Sequence, residues 1–99
     1  LQAGGRSRSH RTLTIRTRPN RLDHDRYAIS TGRALGNAVI RNRVRRRLRE
    51  ILRATPWGTP RRDVLVVCRP AAAQADYQEL RETVARLLAI DEQRGTGEA

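Results

Sequence analysis

Ninety-nine residues carry 21 basic and 10 acidic side chains, a formal net charge of +11, and only 37% hydrophobic residues. A chain this short forms one domain around one modest core, and its charge calls for a polyanionic partner: nucleic acid first, an anionic membrane surface second. The same composition excludes a membrane-spanning helix, an internal disulfide (Cys68 is the single cysteine) and a metal site of recognisable spacing, since Cys68, His10 and His24 are scattered.

In chain order, the first five residues have no apolar signal core, so the cytoplasm is the expected compartment. Gly4, Gly5, Ser7 and Ser9 read as a loop or a frayed end. Residues 11–18 predict a strand, because Leu13 and Ile15 alternate with Thr12, Thr14 and Arg16. Pro19 and Asn20 stop it. Asp23, His24 and Asp25 form the only local acidic cluster. A structural or solvated role is expected for them over a metal or general-base role, which would need further ligands. Residues 26–31 predict a second strand, with Tyr27 and Ile29 on one face and Ala28 and Ser30 on the other. Tyr27 has two readings, a core side chain and a base-stacking platform. The first is favoured because the chain has no phenylalanine to fill a core.

Gly32 and Gly36 bracket a turn whose Gly-x-x-x-Gly spacing lacks the Lys-Ser/Thr ending of a P-loop. Asn37 is a suitable N-cap for a helix over residues 37–53. Ile40, Val44, Leu48 and Ile51 form one apolar stripe at ~100° per residue. Asn42, Arg45, Arg46, Arg49 and Arg53 fall on the other side. Such a helix docks by its stripe and presents a dense guanidinium surface to an anion. Arg46 and Glu50 are four apart, in the weaker order for a salt bridge. All 21 basic residues are arginine, which a G+C-rich genome also produces, so not every one is a phosphate ligand.

Residues 55–60 end the helix and make a linker, with Trp57 expected as a lid over the core. Residues 63–68 are nearly continuously apolar and predict a central strand buried on both faces. Cys68 reads as a small core hydrophobe rather than a nucleophile. Residues 71–89 predict the last helix, with Tyr77, Leu80, Val84, Leu87 and Leu88 inward, and residues 90–99 a disordered, solvated tail. The order strand, strand, helix, strand, helix is a single α+β domain over 1–99, a small α/β sandwich containing one βαβ unit. General topology rules favour a right-handed crossover.

The stretch GNAVIRNRVRRRLRE, residues 36–50, closely resembles the bacterial ribonuclease P protein component. Its Arg41-Asn42-Arg43 core, followed by basic residues and Leu-Arg-Glu, is specific at this length. A strand with Tyr27 before it, DVLVVCRP after it and a last helix opening on an aromatic all agree. The resemblance covers about residues 6–88.

The resemblance implies a left-handed βαβ crossover. It also implies a division of labour: the catalyst is RNA, and the protein assists it in removing the 5′ leader from precursor tRNA. Expected partners are therefore the catalytic RNA and precursor tRNA, with no membrane and no obligate protein partner. Mg²⁺ is expected to be used by the RNA subunit; no catalytic or metal-binding residue is expected in the protein. Arg41, Asn42, Arg43, Arg45, Arg46 and Arg49 match the family's basic helix, and Arg53 extends it. Arg33 matches one of two basic residues before Gly36; Ala34 stands where the second would be, and Gly32 where serine is usual. The family lays this helix on the catalytic RNA and holds single-stranded leader in a cleft between helix and sheet, here expected at Tyr27, Ala28 and Ser30. The family's first helix, basic and bearing an aromatic, is expected to be missing or truncated, with only its last turn in residues 1–6. The rival readings are a structural ribosomal or other non-catalytic RNA-binding protein, a DNA-binding regulator and a membrane-surface protein. No turn-helix partner supports the DNA reading, and the helix's stripe has no aromatic anchor for a membrane.

Overall fold

The computed structural model describes residues 6–55 and 61–97, with side chains as far as Leu88. Four strands and two helices follow in the order β1 (Arg6–Ser9), β2 (Leu13–Pro19), β3 (Arg26–Ser30), α1 (Ala38–Ala54), β4 (Arg62–Cys68) and α2 (Tyr77–Gly97). Short 3-10 turns at Arg33–Leu35 and Pro70–Ala73 precede α1 and α2. The strands form one sheet in the order β1-β2-β4-β3. β1, β2 and β4 are antiparallel neighbours, and β3 runs parallel to β4, so β3-α1-β4 is a βαβ unit.

Alternation along each strand divides the sheet into two faces. Leu13, Ile15 and Thr17 of β2 stand opposite Cys68, Val66 and Val64 of β4, and Ile29 and Tyr27 of β3 align with Val66 and Val64. On this face Leu13, Ile15, Val64 and Val66 are buried under Val44, Leu48, Ile51 and Leu52 of α1 and Leu80, Val84, Leu87 and Leu88 of α2. Each such side chain contributes roughly 1.5–3 kcal/mol on burial. The core contains no phenylalanine, and Ala72 and Ala75, both buried, let the second 3-10 turn lie close to α1. The opposite face carries Thr14, Arg16 and Arg18 of β2, Asp63, Leu65 and Val67 of β4, and Arg26, Ala28 and Ser30 of β3. No described helix covers it.

Several expectations change. Arg6–Ser9 is not a loop or the end of a helix but a strand, paired Arg6↔Thr17 through Ser9↔Thr14. Its side chains show no apolar alternation because it is an edge strand formed by backbone pairing. β4 is central in the sheet but not buried on both faces: Val64 and Val66 are buried, whereas Leu65 and Val67 are half-exposed on the open face. The last helix starts at Tyr77 rather than 71, because Pro70–Ala73 forms a 3-10 turn first. The expected tail over 90–99 begins inside this helix, whose backbone continues to Gly97. Trp57 and the first five residues lie outside the described residues.

One carboxylate ties three strands together. Asp63 accepts from Arg26 Nε and a terminal Arg26 nitrogen, both at 2.8 Å, from Asn20 Nδ2 at 3.0 Å and from Arg18 at 3.3 Å. The bidentate Arg26 fork, helped by the Asn20 amide and then Arg18, holds the Asp63 carboxyl well below the usual carboxylate range. Edge strand β3 is thereby held in register at Arg26↔Asp63.

Candidate nucleic-acid interface

Helix α1 starts where Asn37 Oδ1 accepts the Ile40 N–H at 3.0 Å, the expected cap. Gly36 turns the chain into it with φ +144°, a backbone region that favours glycine; a Cβ there would stand 2.9 Å from Ile40 Cδ1. Burial of Val44, Leu48 and Ile51 on the core, with Ile40 half-buried beside them, sets the rotation of the helix. Asn42, Arg46, Arg49 and Arg53 then point directly away from the core, and all four are exposed. Spaced i, i+4, i+7 and i+11, they form a line about 16 Å long. Arg46, Arg49 and Arg53 have no hydrogen bond or ion pair with any described residue, and neither does Glu50, so the pair Arg46 and Glu50, spaced in the weaker order, forms no salt bridge.

The flanking arginines behave differently. Arg43 and Arg47 lean to one side and donate to the carbonyls of Ala73 at 3.5 Å and Ala75 at 3.3 Å. They bind the second 3-10 turn to α1. Arg45 leans to the other side, donating to Asn42 Oδ1 at 3.1 Å and Thr31 Oγ1 at 2.5 Å. A guanidinium only donates, so the Asn42 carbonyl must face Arg45, and its amide NH₂ is left pointing outward. Arg41 lies half-buried on the Arg45 side, and Arg33 is exposed in the turn before the helix. The candidate set therefore divides into an outward line, a positioning pair at Arg45 and Asn42, and Arg43, which is partly committed to the fold.

Of Tyr27, Ala28 and Ser30, the first two line one depression, although their side chains belong to different faces of the sheet. Ala28 and Ser30 belong to the open face of the sheet, and Tyr27 to the face that α1 covers, because consecutive strand residues point oppositely. A cleft beside α1 can contain Tyr27 only. Tyr27 is also not a core residue: it is 36% exposed at the edge of the core. Two depressions follow from this geometry. One, of about 350 Å³ on the open face, is lined by residues including Arg16, Arg18, Arg26, Tyr27, Ala28 and Leu65. The other, about 370 Å³, lies by the C-terminal end of α1 and is lined by Asp25, Tyr27, Leu52, Arg53, Thr55 and Arg61. Sequence reasoning missed Arg16 and Arg61 as candidates. The alternation that buries Leu13 and Ile15 already places Arg16 on the opposite face.

The remaining reactive groups are occupied or quiet. Asp23 accepts from His24 Nδ1 at 2.8 Å, and that hydrogen bond lowers its pKa. Asp25 accepts the Arg62 backbone N–H at 2.8 Å and Arg61 at 3.2 Å. Burial pushes the Cys68 thiol up to about 11 against the opposing charge of Arg45. Among the described residues no group of three or more His, Cys, Asp or Glu side chains is placed to hold a metal. No described helix is long and apolar enough to cross a membrane.

A two-layer domain with a line of guanidiniums that pair with no described residue, on a rigidly docked helix, defines a small α+β polyanion-binding protein. A family model for ribonuclease P matches residues 1–90. The ribonuclease P protein component of Streptococcus pyogenes serotype M12 is 33% identical over 86 residues, covering 87% of this chain and 72% of that one. The solved ribonuclease P protein of Staphylococcus aureus superposes with a TM-score of 0.79 at 30% identity, covering 88% of this chain and 81% of that one. That of Thermotoga maritima gives 0.74 at 28% identity, covering 85% and 81%. The chain belongs to the ribonuclease P protein family, and nothing in these matches supports a ribosomal protein.

Proposed function

We propose that the chain acts as the RNA-binding subunit of ribonuclease P, assisting a catalytic RNA in removing the 5′ leader of precursor tRNA. The observation that carries this reading is the outward line Asn42, Arg46, Arg49 and Arg53 in a member of this family. In this reading the line lies on the catalytic RNA with Arg33, Arg41 and Arg45 beside it, and neutralises backbone phosphates so that RNA segments can approach. Phosphate contacts carry no base code, so recognition here is weakly sequence-dependent. The leader takes the open face of the sheet, where Ala28 and Ser30 leave room and Arg16 supplies charge. Binding energy gained there is remote from the scissile bond. Mg²⁺ held by the RNA would supply the activation of water; among the described residues no group of three or more His, Cys, Asp or Glu side chains would hold it, and fixed guanidiniums would lower the Mg²⁺ needed. Such a complex would work in the cytoplasm.

The test is reconstitution with ribonuclease P RNA and a cleavage assay on precursor tRNA. The protein alone should leave the substrate intact, and should lower the Mg²⁺ requirement when the RNA is added. Site-specific 5′ processing by the protein without RNA, or no binding to that RNA, would overturn the proposal.

A further inference from the structure

The depression at the C-terminal end of α1 meets the open-face depression at Tyr27, and its other lining residues, Asp25, Leu52, Arg53, Thr55 and Arg61, are its own. Its floor is Leu52, which is buried, and its wall is Tyr27. The chain has only three aromatic residues, and this one is left partly in solvent although it shares a sheet face with Val64. Arg53 and Arg61 stand at the rim, both exposed. Asp25 lines the groove, its side chain 14% exposed. One Asp25 oxygen accepts the Arg62 N–H and the other accepts from Arg61, which fixes the carboxylate and offsets its charge. Each oxygen keeps a second lone pair. Thr55 is already committed: its hydroxyl donates to Ile51 O at 2.7 Å.

We infer that this groove is a binding site for a single unpaired nucleotide of an amino-bearing base, stacked on Tyr27 with its exocyclic amine donating to Asp25. The inference rests on the RNA-binding reading above. About 370 Å³ falls within the range of small-ligand sites. Unpaired bases stack on aromatic rings and guanidinium planes, and a carboxylate accepts from a base amine such as that of cytosine. Adenine, cytosine and guanine have such an amine; uracil has none. The C-terminal end of α1 carries partial negative charge, which keeps phosphate out of the groove itself. Phosphate is left to Arg53 and Arg61 at the rim. Arg53 is also the end of the outward line Arg46, Arg49, Arg53, so an RNA strand tracked along α1 arrives at the groove.

The experiment is a proton–nitrogen correlation NMR titration of the full chain with AMP, CMP, UMP and inorganic phosphate. AMP and CMP should shift the Tyr27, Arg53 and Arg61 amides saturably, and UMP should bind about five-fold or more weaker, the discrimination expected of a base-edge contact. Phosphate alone should leave the Tyr27 amide unmoved. Tyr27→Phe should bind AMP as the parent does, and Tyr27→Leu, which keeps an apolar side chain at the core's edge, should weaken it by about ten-fold. UMP binding as well as AMP, phosphate reproducing the shifts, or AMP binding untouched by Tyr27→Leu would each overturn the inference. Filter binding of ribonuclease P RNA separates the two levels. RNA binding without a nucleotide site sinks this inference alone; loss of RNA binding sinks the reading beneath it.

Discussion

Replacing Arg46 and Arg49 together by alanine removes two exposed guanidiniums that make no hydrogen bond or ion pair with a described residue. If each neutralises one phosphate, binding releases one fewer counterion set per arginine. The slope of log affinity against log salt should then shrink by roughly 0.7–0.9 per arginine, or about 1.4–1.8 for the pair. At about 0.1 M salt the same counterion term is worth roughly 25- to 60-fold in affinity. The fold should be unaffected, since exposed substitutions of this kind stay within about 0.5 kcal/mol. Arg47→Ala is the control on the same helix. Its guanidinium donates to Ala75 O, so its loss should cost about 1 kcal/mol of stability and leave the salt slope nearly unchanged. Val44→Asp, at a site with no solvent exposure, should unfold the chain by burying a charge. The assay is filter binding to ribonuclease P RNA from about 50 to 400 mM salt, with circular dichroism melts of each variant. An Arg47→Ala slope change as large as that of one outward arginine, or an unchanged slope for the pair, would refute the division of the helix into a fold-directed flank and an RNA-directed line.

Gly36→Ala forces a side chain into a left-handed backbone position and against Ile40, so it should lower stability by about 1–3 kcal/mol, read by urea denaturation. The Asp63 carboxyl has a folded pKa below its unfolded value, so its contribution is fully present above the unfolded pKa of about 3.9 and is lost as pH falls through the lower folded value. Asp63→Asn should therefore melt below the parent at neutral pH, with the gap narrowing as pH drops below about 4; a gap constant with pH would remove the carboxylate from the account. Cys68, with its thiol near 11, should react with iodoacetamide at pH 8 at least about 100-fold more slowly than a free thiol, measured by mass spectrometry.

Helix α1 was legible in the sequence because two independent signals coincide, an apolar stripe of helical period and an asparagine cap. The faces of β3 were also legible: Tyr27 with Ile29, Ala28 with Ser30. Which of those faces α1 would cover was not, since alternation sorts side chains into two sets without saying which set meets the core. That one missing fact left open which of Ala28, Ser30 and Tyr27 a cleft beside α1 can hold. β1 escaped because Arg-Ser-Arg-Ser has no apolar partner to reveal it; its strand exists only through β2's backbone. The apolar run of β4 read as buried on both faces, yet Leu65 and Val67 remain half-exposed where no described helix packs. Arg43 and Arg46 look alike as letters in a motif. They part only once the core fixes the rotation of the helix, sending one towards the Ala73 carbonyl and the other into solvent.

The distribution of acids explains how so basic a chain can fold and still bind. Described ion pairs gather at the sheet and its loops: Arg18 and Arg26 on Asp63, Arg61 on Asp25, and Arg11 on Glu79 of α2. There, charge neutralisation serves strand register and the attachment of the β1–β2 hairpin to α2. Among the described residues the outward side of α1 receives no such partner, and its first turn contains no acid. Repulsion along Arg46, Arg49 and Arg53 therefore remains in the free protein and opposes its folding. A polyanion on that line removes the repulsion at the moment it binds. Because the anion binds the folded line and not a dispersed chain, its binding energy adds to folding stability by mass action. If the proposed reading holds, the same line would serve recognition in the complex and cost stability outside it, which would tie the stability of this domain to the presence of its RNA.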